Sequence, residues 1–126
     1  MNNKNQIIKP LEKSVHKFDL EERTFNFASN ILNFSKNIKI NYLTENQVKQ
    51  LIKSSTSIGA NYMEANSCNS KKDFINKISI CKKEAKETTY WIRILSILYL
   101  EKIDKLRELW KEAHELVLIF SAILKR

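Results

Sequence analysis

Four stretches of the chain repeat apolar residues every three or four positions, which is the period of an amphipathic α-helix. The first opens at Asp19, because Asp19 and Glu22 have capping-box spacing and Phe18 precedes them as a hydrophobic staple. The second opens at Thr44, with Gln47 three positions later. The faces of these two predicted helices consist of Leu20, Phe27, Ile31, Phe34 and Ile38, and of Val48, Leu51, Ile52, Ser55, Gly59, Tyr62 and Asn66.

The third and fourth stretches carry the most regular patterns. The third opens at Ser70, with Asp73 in capping-box position, and the fourth begins near Asp104. Their faces consist of Phe74, Ile78, Cys81, Ala85, Thr88, Ile92, Leu95 and Tyr99, and of Leu106, Leu109, Ala113, Leu116, Phe120 and Ile123, the latter widened by Trp110, Val117 and Leu124. Both stretches are therefore predicted to be helices.

Short connections between four amphipathic helices predict an all-α protein, an antiparallel up-down-up-down four-helix bundle over residues 18–126. Gly59 lies in the middle of the second helix, where glycine costs about 1 kcal/mol relative to alanine, so we expect another helix to approach closely there. Residues 1–17 are polar, contain Pro10 and show no sustained period. They predict a flexible arm with a local charge of +3.

The composition argues against several classes of protein and of site. With one glycine in 126 residues, an all-β domain, a dinucleotide-binding domain and a glycine-rich phosphate loop are nearly excluded. His16 and His114 stand alone, and Cys68 and Cys81 are too far apart for a metal knuckle or a redox pair. No serine lies on a recognisable nucleophile elbow. We therefore expect no metal, no cofactor and no enzymatic activity.

The distribution of apolar residues predicts a cytoplasmic location. The longest apolar run, from Leu116 to Leu124, is interrupted by Ser121 and is shorter than the roughly 18 residues that suggest a membrane span. The N-terminal sequence is rich in Asn and Lys and lacks the apolar segment of a signal peptide. We expect no membrane partner.

The third predicted helix carries a second apolar row besides its core face. This row consists of Ile80, Trp91, Ile94 and Leu98, roughly opposite the core face. The first helix has an off-core pair, Phe25 and Leu32. Because a tryptophan-centred row is costly to leave in water, we interpret these residues as a subunit interface between neighbouring chains. The alternative is that the fourth helix or the N-terminal arm covers the row within one chain.

The charge balance suggests a polyanionic partner. The chain has 22 basic and 14 acidic residues, a formal charge of +8 and a pI near 9.5. Four basic residues share one side of the third helix, namely Lys71, Lys82, Lys86 and Arg93. They are candidates for contact with a phosphate backbone, and such contact would be sequence-tolerant and salt-dependent. The alternative is an ordinary solvated face.

A polar row is predicted along the outer face of the second helix. It consists of Ser54, Ser57, Asn61 and Glu64, spaced three, four and three apart. Such a row fits a hydrogen-bonded seam at an interface, a ligand-facing surface or a solvated face, and the sequence does not choose among them.

Several motifs together resemble a known bacterial family. Residues 18–24 read FDLEERT, residues 54–62 read SSTSIGANY, and residues 64–66 read EAN. Residues 72–75 read KDFI, and after Ile78 the stretch 81–88 reads CKKEAKET before Tyr90 and Trp91. These residues resemble the four helix bundle protein family, which is also called the 23S rRNA-intervening sequence protein family. Some members are encoded within insertions in large-subunit ribosomal RNA genes.

The resemblance, which extends from Phe18 to Leu124, carries its own implications. It implies an antiparallel four-helix bundle that assembles into a ring-like homopentamer. It also implies kinship with the accessory proteins of diversity-generating retroelements, which are basic pentamers that engage a reverse transcriptase and nucleic acid. The activity of most members is unknown, and the family supplies no catalytic residue.

The sequence therefore supports two hypotheses about function. The first is a non-enzymatic homo-oligomer that contacts RNA or DNA through the basic side of its third helix, with weak contacts added up over the ring. The second is a protein-interaction scaffold or accessory subunit, for example to a reverse transcriptase, in which the basic charge is incidental.

Overall fold

The computed structural model describes residues 16–126, with side chains from residue 19 onward. Within this range the chain forms four long helices, and no strand is present. Their bounds are α1 His16–Lys36, α2 Glu45–Asn66, α3 Lys71–Leu98 and α4 Ile103–Leu124. A short 3-10 turn, Leu100–Lys102, precedes α4. The prediction of an all-α fold with four helices is confirmed.

All four helices contribute to one apolar core, and the predicted faces supply most of it. On α2 the prediction is wrong for Asn66, which is exposed, and it omits Ile58 and Ala65, which are buried. Each side chain in the following set is less than a tenth exposed: Phe27, Ile31 and Phe34 of α1; Val48, Leu51, Ile58 and Tyr62 of α2; Ile78, Cys81, Ala85, Ile92 and Leu95 of α3; Leu106, Leu109, Ala113, Leu116 and Phe120 of α4. Leu20, Ile38, Phe74 and Ile123 pack at its margin. This core fixes which sides of α3 remain available for other contacts.

The helix starts agree only partly with the predicted caps. The Oγ of Ser70 accepts a hydrogen bond from the backbone N of Asp73 at 3.1 Å, so this cap is confirmed. Thr44 directly precedes α2, but it makes no side-chain cap, and its Oγ1 accepts from the backbone N of Asn41. The capping box with Gln47 is wrong because Thr44 has helical backbone angles, whereas a capping side chain needs an extended residue.

The first helix begins earlier than its sequence signals predicted. It starts at His16, so Asp19 lies in the first turn and not before it. A carboxylate at that position still favours the helix N-terminus through the helix dipole. The predicted arm over residues 1–17 lies outside the described residues apart from His16 and Lys17.

Gly59 marks a close approach between α1 and α2. A Cβ atom built at Gly59 would lie 3.0 Å from Oγ1 and 3.4 Å from Cβ of Thr24, a side chain that is 1 % exposed. The prediction that another helix approaches Gly59 is confirmed, and that helix is α1. Its backbone comes near α2 because no side chain intervenes.

The helix α3 lies between α2 and α4, and each neighbour contacts a different side of it. On the α2 side, Oγ1 of Thr88 and Oγ of Ser54 are hydrogen-bonded at 2.8 Å, and Sγ of Cys81 donates to the backbone O of Ile58. On the α4 side, Ile92 and Leu106 line a common groove. The two flanks of α3 beyond these contacts hold the candidate functional residues.

Candidate nucleic-acid interface and assembly surfaces

The four basic residues predicted on α3 form a strip, here called the basic strip, of Lys71, Lys82, Lys86 and Arg93. At 1.5 Å and 100° per residue, the strip is about 33 Å long and about 60° wide. Lys71, Lys86 and Arg93 are exposed and Lys82 is half-buried. None of them forms an ion pair with a described residue. Their charges are therefore available to an external anion.

The acidic residues of α3 lie away from the basic strip. Helical geometry places Asp73, Glu84 and Glu87 at least about 100° around the axis from it. Several cations on other parts of the fold are neutralised, as in the pairs Lys49–Glu45, Lys77–Glu64 and Lys105–Glu108. The strip thus has an unbalanced positive charge that these paired regions lack.

The end of the basic strip borders a groove between α3 and α4. This groove has a volume of about 290 Å³ and is lined by Ile92, Arg93, Ser96, Ile103, Leu106, Arg107 and Trp110. A second arginine therefore stands beside Arg93. The Nε1 atom of Trp110 is buried and has no hydrogen-bond partner within the described part of the chain. The imidazole of His114 stacks on the Trp110 ring, with centroids 5.0 Å apart.

Sequence reasoning missed Arg107 and Trp110 as companions of the basic strip. The basic strip belongs to α3 alone, whereas these two residues belong to α4 and approach the strip only in the folded chain. Arg107 and Trp110 are three positions apart on α4, which places them on one side of that helix. The available signal was this pairing of a cation and an aromatic residue beside the core face of α4.

The apolar row of Ile80, Trp91, Ile94 and Leu98 lies on the other flank of α3. Ile80, Trp91 and Ile94 are half-buried, and Trp91 packs against the core. Leu98 is exposed. The Nε1 of Trp91 donates to Oε2 of Glu87 at 3.2 Å, and the exposed ring of Tyr90 meets Trp91 edge-on.

A carboxylate sits beside this apolar row. Partial burial raises the pKa of Glu84, and the negative charge of Glu87 raises it further. Lys83 and Lys53 act in the opposite direction. Since a further loss of water around Glu84 would increase the effect of burial, its protonation is sensitive to anything that covers the row.

Phe25 and Leu32 lie on a different surface from the row on α3. They line a groove of about 350 Å³ between α1 and α2, together with Ala60 and Met63. Phe25 and Leu32 are each 44 % exposed, and Met63 is 60 % exposed. The six predicted interface residues therefore form two separate apolar surfaces on one chain.

The predicted polar row on α2 does not lie on a single outer face. Ser54 is 1 % exposed and bonds to Thr88, so the outer-face prediction is wrong for this residue. Ser57 and Asn61 are half-buried, and Nδ2 of Asn61 donates to the backbone O of Ser57. Glu64 accepts from Nζ of Lys77 at 2.6 Å. All four residues of the row thus make hydrogen bonds within the chain.

A third groove, between α1 and α4, is polar. It has a volume of about 550 Å³ and contains Arg23, Asn30 and Glu112 among its lining residues. Arg23 makes two hydrogen bonds of 2.7 and 2.8 Å to the carboxylate of Glu112. These bonds raise the pKa of Arg23, and its charge is already matched.

Comparison with known proteins places this architecture in a family. Residues 16–122 match the model of the 23S rRNA-intervening sequence protein. The chain belongs to that family. A similar crystal structure is that of a protein of unknown function from the S23 ribosomal protein family of Bacteroides thetaiotaomicron. It is 32 % identical, the match covers 84 % of this chain and 98 % of that one, and the TM-score is 0.73. No curated protein matches the chain.

The motifs by which the chain resembles the 23S rRNA-intervening sequence family have a packing explanation in this structure. Ser54 and Gly59, within the motif of α2, contact α3 and α1 respectively. Cys81 and Thr88, at the two ends of the motif on α3, contact α2. Burial raises the pKa of the Cys81 thiol to about 12, so this family motif carries a neutral thiol.

The described residues also bear on metal and membrane chemistry. Among the side chains described from residue 19 onward, no group of three or more His, Cys, Asp or Glu is placed to hold a metal ion. None of the described helices has both the length and the apolar character needed to cross a bilayer.

Proposed function

We propose that this member of the 23S rRNA-intervening sequence family is a non-enzymatic, cytoplasmic homo-oligomer that contacts RNA or DNA through the basic strip. The observation that carries the proposal is the set of four cations without ion pairs on one side of α3, with the acidic residues of that helix turned away. Cations in this arrangement can release counterions from a phosphate backbone without first breaking contacts within the chain.

The proposed architecture is an antiparallel up-down-up-down bundle. Along α2 and α3 the contacting pairs run in opposite directions, since Glu64 near the end of α2 pairs with Lys77 near the start of α3. Farther from that end, Ser54 meets Thr88. The connections before α2 and before α4 also meet, because Oη of Tyr99 donates to the backbone O of Lys39 at 2.5 Å.

The proposed assembly is a ring-like homopentamer. Its support from the structure is the presence of two different apolar surfaces, the α3 row around Trp91 and the α1–α2 groove around Phe25. Two different surfaces that bind each other produce a head-to-tail contact, and such contacts close into rings when the rotation allows it. Five basic strips on one ring would bind a polyanion multivalently, so each needs only modest affinity.

Charge reversal within the basic strip tests the nucleic-acid contact. The variant carries Lys82→Glu with Lys86→Glu. The matched control carries Lys36→Glu with Lys39→Glu, two exposed lysines of which the first ends α1 and the second lies on the connection after it. Binding to a structured RNA and a duplex DNA is measured by fluorescence anisotropy from about 50 to 300 mM salt. We expect the strip variant to lose most of its binding at every salt concentration, and the slope of log K against log salt for the residual binding to be lower by about 2 per subunit.

Two results would contradict this proposal. Equal losses in the strip variant and the control would mean that net charge, and not the strip, determines binding. No binding of the unaltered protein at the lowest salt would remove nucleic acid as the partner. Oligomeric mass by light scattering must be unchanged in both variants, since otherwise binding and assembly are not separable.

A substitution in the apolar row tests the assembly. Trp91→Glu is expected to lower the oligomeric mass while helicity by circular dichroism is retained. Tyr42→Glu is the control, because Tyr42 is 88 % exposed on the connection between α1 and α2. Unchanged mass for Trp91→Glu would show that the row is not an interface. A collapse of helicity would show that Trp91 acts as a core residue.

The second candidate function is a scaffold or accessory subunit for another protein, such as a reverse transcriptase. The observation in its favour is an exposed apolar group where the two connections meet, formed by Ile40, Tyr42, Leu43, Ile97 and Leu100. Large exposed apolar groups of this kind mark contact surfaces for proteins. This candidate predicts that Leu43→Ser with Leu100→Ser leaves nucleic-acid binding and oligomeric mass unchanged but removes binding of that partner.

A further inference from the structure

The groove between α3 and α4 combines three chemical features that the basic strip alone does not have. Arg93 and Arg107 stand on its two sides, one from each helix. Ile92 and Leu106, both about 1 % exposed, are part of its apolar lining. A hydrogen-bond donor, Nε1 of Trp110, is buried without a partner within the described residues.

The charged part of this groove suits a phosphate. Arg93 has no ion pair with any described residue, and Arg107 has only a 3.8 Å contact with Asp104, a carboxylate that is almost fully exposed. Such an exposed pair contributes little energy, so Arg107 can exchange it for another anion. Two guanidinium groups offer forked donors that match phosphate geometry.

The uncharged part of the groove suits a planar heterocycle with polar edges. The hydroxyl of Ser96 donates to the backbone O of Arg93 at 2.6 Å, which leaves its oxygen free to accept a hydrogen bond. The indole N–H of Trp110 lacks an acceptor, and because its Nε1 atom is closed to solvent, a base reaches it only by displacing neighbouring side chains. A base offers both kinds of partner on its edge and apolar faces to the lining. A volume of about 290 Å³ is at the low end for ligand sites, which limits the occupant to one such unit.

We propose that this groove holds a single unpaired nucleotide, with its phosphate between Arg93 and Arg107 and its base beside Trp110. The inference rests on the proposed function, because Arg93 belongs to both the groove and the basic strip. It makes the substrate class more specific, since a base within a duplex is stacked and paired and is not free to enter. The nucleotide can come from a single-stranded segment or bulge of a longer strand, or from a free mononucleotide.

The two tryptophans of the chain provide a direct test. Each indole N–H gives one signal in a proton–nitrogen correlation spectrum, and Trp91→Phe assigns them. The labelled protein is titrated with uridine monophosphate, a single-stranded oligouridylate and an RNA duplex of equal length. A short peptide with a free carboxyl end is added as a fourth probe. We expect the monophosphate and the single strand to shift the Trp110 signal, while the Trp91 signal stays in place.

An arginine substitution adds a measurement of affinity. Arg107→Gln is expected to weaken binding of the single strand at least about tenfold, the loss typical of a charge-assisted hydrogen bond. Lys105→Gln is the matched control, because it removes the same charge from an exposed position on α4 that does not line the groove. Asp104→Asn frees Arg107 and is expected to leave affinity equal or higher.

The outcomes separate this inference from the proposed function. If strands bind with a steep salt dependence but neither indole signal moves, the groove inference is wrong and the basic-strip proposal stands. If the monophosphate shifts Trp110 while no strand binds at about 50 mM salt, the groove inference stands and the proposed nucleic-acid contact is wrong. If only the peptide shifts Trp110, or if Arg107→Gln and Lys105→Gln behave alike, the groove does not bind nucleotides.

Discussion

Gly59→Ala tests the close contact between α1 and α2 at this position, and its effect can be worked out from two opposing terms, helix propensity and steric crowding. In an open helix, alanine in place of glycine stabilises by about 1 kcal/mol. Here the new Cβ would meet Thr24 Oγ1 at 3.0 Å and Thr24 Cβ at 3.4 Å. The Thr24 hydroxyl donates to the backbone O of Glu21, so it moves only by losing that hydrogen bond or by shifting α1.

The cost of crowding Thr24 equals or exceeds the gain in helix propensity. Inserting a methyl group into a filled space costs about 1–3 kcal/mol, so the net result is a loss of about 0–2 kcal/mol despite the better helix propensity. Removing the side chain that obstructs the methyl group reverses the sign. In a Thr24→Ala background, Gly59→Ala should stabilise by about 1 kcal/mol, which gives a coupling energy of about 1–3 kcal/mol between the two sites.

Urea unfolding followed by circular dichroism measures these free energies at one fixed protomer concentration, because assembly adds to stability. Ser57→Ala is the control, since it changes a half-buried position on the same helix that is absent from the Gly59 contact. The reasoning would be refuted if Gly59→Ala stabilised the protein by about 1 kcal/mol in both backgrounds. That result would mean that α1 does not approach Gly59.

Three further predictions concern buried and charged contacts. Thr88→Val should lower the free energy of unfolding in urea by about 1–2 kcal/mol, because it removes the hydrogen bond that the buried Ser54 hydroxyl receives from Thr88. The double variant with Ser54→Ala should lose less stability than the sum of the two single variants. Burial raises the pKa of Glu84, so the folded chain holds this proton more tightly than the unfolded chain and loses stability as pH rises above the ordinary pKa of glutamate. Glu84→Gln should therefore stabilise the protein at pH 7 in thermal unfolding, and this gain should vanish below about pH 4. Glu112→Gln should cost at most about 1 kcal/mol through Arg23, and the cost should shrink in 1 M salt.

Sequence periodicity predicted the parts of the fold that depend on a single helix. The cap at Ser70 and the buried face of α3 were predictable because each is determined within a few turns of chain. The contact at Gly59 was predictable because glycine inside a helix needs compensation. The cap predicted at Thr44 was wrong because the backbone angles of Thr44 depend on the turn that begins at Asn41. In this turn the backbone O of Asn41 accepts hydrogen bonds from the backbone N of both Thr44 and Glu45.

Ser54 shows why the surface of α2 was harder to predict. A single core stripe was assumed for each helix, and Ser54 falls outside the stripe of α2. However, α2 is flanked by α1 on one side and by α3 on the other, so its buried arc is wider than one stripe. A serine is small enough to be buried in the second contact, where Thr88 satisfies its hydroxyl. The polar character of Ser54 therefore predicted an outer, solvent-facing position, whereas the residue is buried against α3.

The groove beside Arg93 depends on register between helices, which no pattern within one helix contains. Arg107 and Arg93 line the same groove because of where the turn Leu100–Lys102 lets α4 begin. A shift of one residue in α4 would rotate Trp110 and Arg107 by about 100° and remove both from the groove. The basic strip was therefore predictable from α3 alone. The groove with Arg107 and Trp110, which we propose selects an unpaired nucleotide, was not.

The division of α3 into two flanks explains how one helix could serve two purposes. Its core face lies between the basic strip on the α4 side and the apolar row on the α2 side. If the row is buried between subunits, as proposed, the strip stays at the surface and its charges are not moved into an environment of low dielectric. A strip and a row on the same flank would conflict, since assembly would then have to bury Lys82 and Lys86. This separation predicts that Trp91→Glu weakens binding to a long polyanion only through lost multivalency, while binding to a mononucleotide is unchanged.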